Sequence, residues 1–378
     1  MRALTILQSS LFATFVLGMA AVALARAVPY EGIDGASGEA EWLDGRAARA
    51  FEGHYDERFP GKTLGTNLWA AIDYVVFDEG RPGVVVGANG WLYTDEEFKT
   101  YPGAEAAITS HLALIATVRD ELKRQGSELV IALVPSKARV YPEHLPERRP
   151  AAIHESLYGR LRQGLRDAGI AAPDLAVTMA RCKRAAETYL RTDTHWTPAG
   201  ARCAAQAVAA TLGSPRKPPF TFYTHTASVE THSGDLLRFL PLEPYFASLL
   251  PERESVEVRK TERAAAGQAE SLLGDGELPQ VVLVGTSYSA DPKWNFTGAL
   301  QESLQEDVVN YASVGKGPFV PMLDYLLNSA ALPAAPRLVV WEIPERYLPL
   351  AQDLSARRPD SAAVCTPNPG KAASTGDI

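Results

Sequence analysis

From about residue 103 the chain alternates between two hydrophobic periods. Apolar positions at three- and four-residue spacing over 105–124 predict an amphipathic helix, ended by Gln125-Gly126. The unbroken apolar run over 128–134 (ELVIALV) predicts a buried strand, stopped by Pro135. A second helix is expected over 153–168 and a weaker strand over 170–178. Thr197 as N-cap and Pro198 at the first helical position open a helix that runs to Leu212. Residues 214–278 carry proline clusters and few strong periods, and are read as irregular. Strands then return at 280–284, 307–311 and 337–343, with a helix over 319–329 after the middle one. Apolar strands alternating with amphipathic helices predict an α/β fold, a doubly wound three-layer α/β/α domain with a mostly parallel sheet.

The segment before this body is patterned differently. Residues 37–78 carry Trp42, Phe51, Tyr55, Trp69 and Tyr74 at helical spacing, interrupted at Pro60-Gly61, which predicts two helices. Residues 84–93 (VVVGANGWLY) read as two short strands around an Asn-Gly turn. At the start, Arg2 precedes an apolar stretch over 11–25, followed by small residues at Ala23, Ala25 and Ala27. That pattern predicts export through a signal peptide or signal anchor over 1–27, cleavage being the preferred reading. The remaining expectation is one domain over 28–352 and a disordered tail over 353–378.

Composition narrows the function classes. At 46% hydrophobic and 22% charged residues, the chain is neither disordered nor fibrous. A formal net charge of −8 argues against nucleic acid as a partner. The three cysteines, Cys182, Cys203 and Cys365, lack metal-ligand spacing, and no metal is expected. Cys182 and Cys203 flank the segment 193–196 and could pair in an oxidising compartment, or remain two buried thiols.

Two segments carry chemistry. In Val281-Val282-Leu283-Val284-Gly285-Thr286-Ser287-Tyr288-Ser289 a buried strand runs straight into Gly-Thr-Ser. Ligands of open α/β sheets bind beyond the carboxyl ends of strands, so Ser287 is well placed to act, with its own N–H facing a developing oxyanion. Taken alone, a serine there also fits a helix N-cap. The second segment is Arg191-Thr192-Asp193-Thr194-His195-Trp196-Thr197-Pro198. An acid two residues before a histidine can reach its Nδ1–H and leave Nε2 as a base. Together the segments offer Ser287 as nucleophile, His195 as base and Asp193 as orienter.

These motifs resemble the SGNH hydrolase superfamily, with Thr286 where an aspartate is usual and with Asp-His preceding the serine. That order, with Asp-Thr-His-Trp and Gly-Thr-Ser-Tyr-Ser, is similar to the alginate O-acetyltransferase family of AlgX and AlgJ type. Further family-like stretches are 90–93, 134–137, 294–296, 315–319 and 341–347, so the resemblance spans about residues 50–350. It implies a periplasmic enzyme that acetylates hydroxyls of an exopolysaccharide through an acetyl-serine, with Ser287 as nucleophile and Ser289 as the competing serine. It also implies a polysaccharide acceptor, a membrane-bound acyltransferase that supplies acetyl, other export components as partners and no soluble cofactor. AlgX-like members carry a C-terminal carbohydrate-binding module. The last strand here ends near Ile343, which makes the chain look like the single-domain AlgJ type.

Several residues could meet the sugar. Lys137 and Arg139 follow the 128–134 strand and could face an anionic ring, or be ordinary solvated charges. Arg346, after the final strand, could do the same or pair with a carboxylate. Trp196, Tyr288 and Trp294 could stack on sugar or pack in the core. His225 and His232 are read as surface histidines, since no carboxylate or cysteine cluster completes a ligand set around them. Gly315–Gly317 does not match a phosphate loop. The rival readings are an acetylesterase of the same architecture and a non-catalytic polysaccharide-binding component of a secretion complex.

Overall fold

The computed structural model describes residues 2–27, 44–59, 61–146, 155–212, 221–264, 279–329 and 334–354. The chain forms two compact units, the first built from residues up to Arg81 with Arg238–Leu250, the second from Pro82–Leu237 and the chain from Pro251 onward. The first unit holds α1 (Arg2–Ala27), α2 (Arg46–Arg58) and α3 (Lys62–Phe77). The two helices expected over 37–78 are therefore present, and Gly61 stands directly before α3. The segment read as a signal is the helix α1; among the described residues no helix is long and apolar enough to cross a membrane.

The second unit begins with the expected hairpin, β1 (Val84–Val86) against β2 (Leu92–Thr94). Asn89 and Gly90 both have positive φ, which is why an Asn-Gly pair closes it. Then follow α4 (Ala104–Arg124), β3 (Glu128–Val134), α5 (Lys137–Val140), α6 (Glu155–Asp167), α7 (Leu175–Cys182) and α8 (Pro198–Thr211). The chain continues through β4 (Phe222–His232), β5 (Glu254–Arg263), β6 (Val281–Val284), α9 (Ser287–Ala290) and α10 (Phe296–Leu304). It ends with β7 (Val308–Asn310), α11 (Phe319–Ser329) and β8 (Leu338–Pro344).

Strands β3, β8, β6 and β7 lie side by side in that order, all parallel. Successive residues point to opposite faces, and both faces are buried, which is what an apolar run without alternation requires. Val130, Ala132, Val281, Leu283 and Val340 meet α7, α8 and α10 on one side. Leu129, Ile131, Val282, Val284 and Trp341 meet α4, α6 and α11 on the other. Each fully buried aliphatic side chain contributes about 1.5–3 kcal/mol, so these two layers hold the sheet. The three-layer α/β/α architecture is the expected one.

Two expectations need correction. The strand expected over 170–178 is reduced to a single bridge from Ala171 to Val130. From Asp174 the chain is helical, because that side chain accepts the Val177 N–H and caps α7. The stretch read as irregular contains a ten-rung antiparallel ribbon, Phe222–His232 against Glu254–Arg263. Most of β4 is exposed, so it shows no apolar face to betray it. The expected disordered tail lies outside the described residues from 355 onward.

Candidate active site

Strand β6 delivers the serine. Val284 pairs with Trp341 of β8, so the next residues along, Gly285 and Glu342, are neighbours at the strand ends. A Cβ on Gly285 would stand 2.5 Å from Glu342 Oε2 and 2.9 Å from its Cβ, and only glycine allows the approach. The fully buried Glu342 then fastens the turn. Its carboxylate accepts the Thr286 N–H at 2.7 Å, the Thr286 hydroxyl at 2.9 Å and the Ser289 hydroxyl at 3.1 Å. Burial pushes the Glu342 carboxyl up from its ordinary value, partly offset by these donors. Thr286 caps α9 by accepting the Tyr288 N–H. Between those committed amides, the Ser287 N–H meets no acceptor among the described residues. Ser289 is buried and bound to Glu342, whereas Ser287 reaches solvent.

The loop between α7 and α8 delivers the histidine. A disulfide joins Cys182 at the end of α7 to Cys203 in α8, with Cα atoms 6.7 Å apart, and closes the segment that carries Asp193 and His195. Two buried groups, Lys137 and Glu254, and the half-buried Asp235 pin the loop. Lys137, 1% exposed, donates from Nζ to the carbonyl oxygens of Leu190, Arg191 and Asp193 at 2.9, 3.1 and 2.7 Å. Glu254 accepts the N–H groups of Arg191 and Thr192. Asp235 accepts the Thr194 N–H at 2.8 Å and the Thr194 hydroxyl.

The two loops meet. His195 Nε2 lies 2.7 Å from Ser287 Oγ, and His195 Nδ1 lies 2.6 Å from Asp193 Oδ1. Asp193 Oδ1 also accepts the His195 N–H, while Oδ2 accepts from His232 Nε2 at 2.8 Å and from the Asp235 N–H at 3.0 Å. Burial alone would raise the Asp193 carboxyl, but the bonds from His195 and His232 outweigh it and hold it well below the ordinary carboxylate range. With Nδ1–H held on a carboxylate, Nε2 is the free base of the ring. The arrangement can take a proton from the serine hydroxyl and stabilise the imidazolium that results. Asp193, His195 and Asp235 also offer ligand atoms within 4.8 Å of one another. Hydrogen bonds to His195, His232, Ser287 and Thr194 account for those atoms.

The six residues considered for sugar contact are used inside the protein. Lys137, expected as a solvated or sugar-facing charge, is the buried brace just described, and burial pulls its ammonium down to about 8. Arg139 pairs with Glu345 through Nε and Nη2 at 3.0 and 3.1 Å. Trp196 is fully buried and donates its indole N–H to the Tyr288 carbonyl at 3.1 Å. The Tyr288 hydroxyl donates to the Thr194 carbonyl and accepts from Arg346 Nη1 at 3.1 Å; Arg346 also pairs with Glu96 at 3.0 Å. Trp294 is 2% exposed and lies along the His195 ring, centroids 5.3 Å apart and planes at 20°. Of the six, Trp196, Tyr288 and Trp294 join the serine side of the site to the histidine loop.

His232 corrects the surface reading: it is 9% exposed and lies on the triad carboxylate. His225 lies on the ribbon, paired across it with Lys260. Of the other polar supports, Glu342 falls in the family-like stretch 341–347 but its role was not legible there, and Glu254 and Asp235 carried no sequence signal, because each acts on a backbone distant along the chain.

Comparison with known proteins agrees with this architecture. Residues 84–345 match the family model described as the SGNH hydrolase-like domain of the acetyltransferase AlgX. The chain is 48% identical over 354 residues to the probable alginate O-acetylase AlgJ of Pseudomonas aeruginosa PAO1, covering 91% of this chain and 89% of that protein. It is 50% identical over 322 residues to the corresponding protein of Pseudomonas putida KT2440, covering 84% and 83%. The solved O-acetyltransferase domain of Pseudomonas putida AlgJ superposes with a TM-score of 0.66 at 47% identity, covering 73% of this chain and 95% of that one. With its sheet, its loops and these relatives in agreement, the chain belongs to the AlgX family of SGNH hydrolase-like acetyltransferases.

Proposed function

We propose that the protein is an exported, serine-dependent O-acetyltransferase acting on hydroxyls of alginate or a similar exopolysaccharide. The observation that carries this reading is the 2.7 Å contact between His195 Nε2 and Ser287 Oγ, with Asp193 behind the ring. The relatives named alginate O-acetylases supply the acetyl and the polymer.

His195 takes the Ser287 proton as Oγ attacks the carbonyl carbon of an acetyl donor. The Ser287 N–H faces the oxyanion, the bond to the donor's leaving group breaks, and that group takes the proton from His195. Acetyl-Ser287 remains. A sugar hydroxyl then gives its proton to His195 and attacks the same carbonyl, and Ser287 Oγ leaves and is reprotonated. Acetyl is only relayed, so the cycle needs no oxidant or soluble cofactor. A membrane-bound acyltransferase is the reading for the donor, and other export components for the remaining partners.

Export rests on the apolar N-terminal segment and on the Cys182–Cys203 bond, which forms in oxidising compartments. A net charge of −8 disfavours long-range attraction of a polyuronate, so hand-over from neighbouring export components suits the polymer better than capture from solution. The test is turnover of an acetyl ester by the purified protein, with and without oligomannuronate. Acetylated oligosaccharide supports the transferase; release of acetate that never depends on acceptor favours the esterase and overturns the proposal.

A further inference from the structure

The Asp193 carboxylate is gripped from two sides, and only one of them belongs to the reaction just described. His232 stands at the last position of β4, paired across the ribbon with Glu254. Both residues reach the same loop: Glu254 takes the N–H groups of Arg191 and Thr192, and His232 takes Asp193 Oδ2 at 2.8 Å. The turn after His232 fits against that loop closely, since a Cβ on Gly234 would stand 2.1 Å from the Thr192 carbonyl oxygen. The ribbon end is therefore a clamp on residues 191–193.

Its partners fix the chemical form of His232. A carboxylate can only accept, so Nε2 carries the proton that faces Asp193. Nδ1 faces Lys293 Nζ at 3.4 Å, and an ammonium can only donate, so Nδ1 is the acceptor. The Trp294 ring meets His232 edge-on at 5.5 Å and lies flat along His195 at 5.3 Å, holding both imidazoles. Other charged groups facing this corner are Asp235, whose N–H shares Oδ2, Glu254, and Lys137, whose Nζ donates to the Asp193 carbonyl oxygen at 2.7 Å.

We infer that His232 is a positioning residue for acetyl transfer: it locks the Asp193 carboxylate in the rotation that serves His195, and Lys293 locks the His232 tautomer. This inference rests on the serine mechanism proposed above. Without His232, Oδ2 keeps, among the described residues, only the Asp235 N–H, and the carboxylate can turn about its last bond away from His195 Nδ1. A misplacement on the order of 1 Å near a reacting group costs about 100-fold in rate.

The test compares His232→Leu, His232→Asn and His232→Gln in the full chain, with Ser287→Ala as the control and p-nitrophenyl acetate as the acetyl donor. Gln can reach Oδ2 with an N–H as His Nε2 does; Asn is too short. Leu and Asn are expected to lower kcat about 10- to 100-fold with KM held within about twofold, and Gln to recover most of the loss. The far-downfield proton resonance of His195 Nδ1–H should shift or broaden in Asn and persist in Gln. If Leu does not fold, the Asn and Gln pair decides alone. Wild-type kcat and an unshifted resonance in Asn overturn the inference while Ser287→Ala stays inactive. Full activity in Ser287→Ala overturns the serine mechanism, and the inference with it.

Discussion

Lys137 Nζ donates to the carbonyl oxygen of Asp193 at 2.7 Å, so a buried ammonium holds the backbone of the residue that orients the base. Lys137→Met would leave the carbonyls of Leu190, Arg191 and Asp193 without this donor. It should lower acetyl transfer by about 10-fold or more through drift of the loop. Its stability effect has a definite pH dependence. The folded-state value of about 8 lies below the ordinary lysine value near 10.4. Between the two, the unfolded chain holds a proton that the folded chain has released. The Lys137 contribution is therefore largest above the upper value and is lost as pH falls through about 8. Thermal melts of wild type and Lys137→Met from pH 7 to 9.5 should show wild type gaining on the variant as pH rises.

The two serines of the turn should separate cleanly. Ser287→Ala is expected to abolish transfer, and Ser289→Ala to keep it within a few-fold, because Ser289 Oγ is bound to Glu342 at 3.1 Å. Glu342→Ala leaves the Thr286 N–H, the Thr286 hydroxyl and the Ser289 hydroxyl unmet in the core. Each unmet group costs about 1–3 kcal/mol, so chemical denaturation should register a loss of several kcal/mol. Glu342→Gln, which keeps an acceptor oxygen, should lose much less.

How much of this was legible depended on burial. Strands β3, β6 and β8 declare themselves because both faces are packed, leaving apolar runs such as Val281–Val284 that few other structures explain. The ribbon β4–β5 did not, because Thr224, Thr226, Val229 and Thr231 favour a strand without marking a buried face. Asp174 is a cap by residue type, but Ile170, Leu175 and Val177 also suit a short apolar strand, so the local pattern does not separate the two. Ser287, His195 and Asp193 were legible from local chemistry: a serine at a strand end and an acid two residues before a histidine. The supports were not. Whether a tryptophan stacks on sugar or on an imidazole is decided by which surface closes over it, and Trp294 is closed over. His232 lies 39 residues from Asp193, and nothing in its neighbours along the chain announces that contact.

Asp193→Asn should act through the tautomer more than through packing. An amide can turn its NH2 group toward His195 Nδ1 and make it the acceptor, so Nε2 carries a proton and ceases to be a base. A loss on the order of 10³–10⁴-fold in kcat is expected with the fold retained. The folded-state carboxyl lies below its ordinary value, so its stabilisation is full above pH of about 4 and fades as pH falls toward the folded value. The stability difference between wild type and Asp193→Asn should therefore shrink on acidification.

The Cys182–Cys203 bond closes a loop of 21 residues' separation around the base. In the chain-entropy account a loop of that length is worth about 3 kcal/mol. The double substitution to serine should lower the melting temperature, and reduction of the wild type should reproduce the shift. Transfer measured well below the lowered melting point should fall by less than it does in Lys137→Met, because Lys137, Glu254 and Asp235 still hold the loop.

The most direct measurement is peptide mass spectrometry of the protein quenched during turnover with an acetyl donor in the absence of acceptor. The account predicts one acetyl group on the side chain of Ser287, absent in Ser287→Ala and discharged when oligosaccharide is added. Acetyl found on Ser289, or continued turnover by Ser287→Ala with no acetyl on the protein, would contradict it.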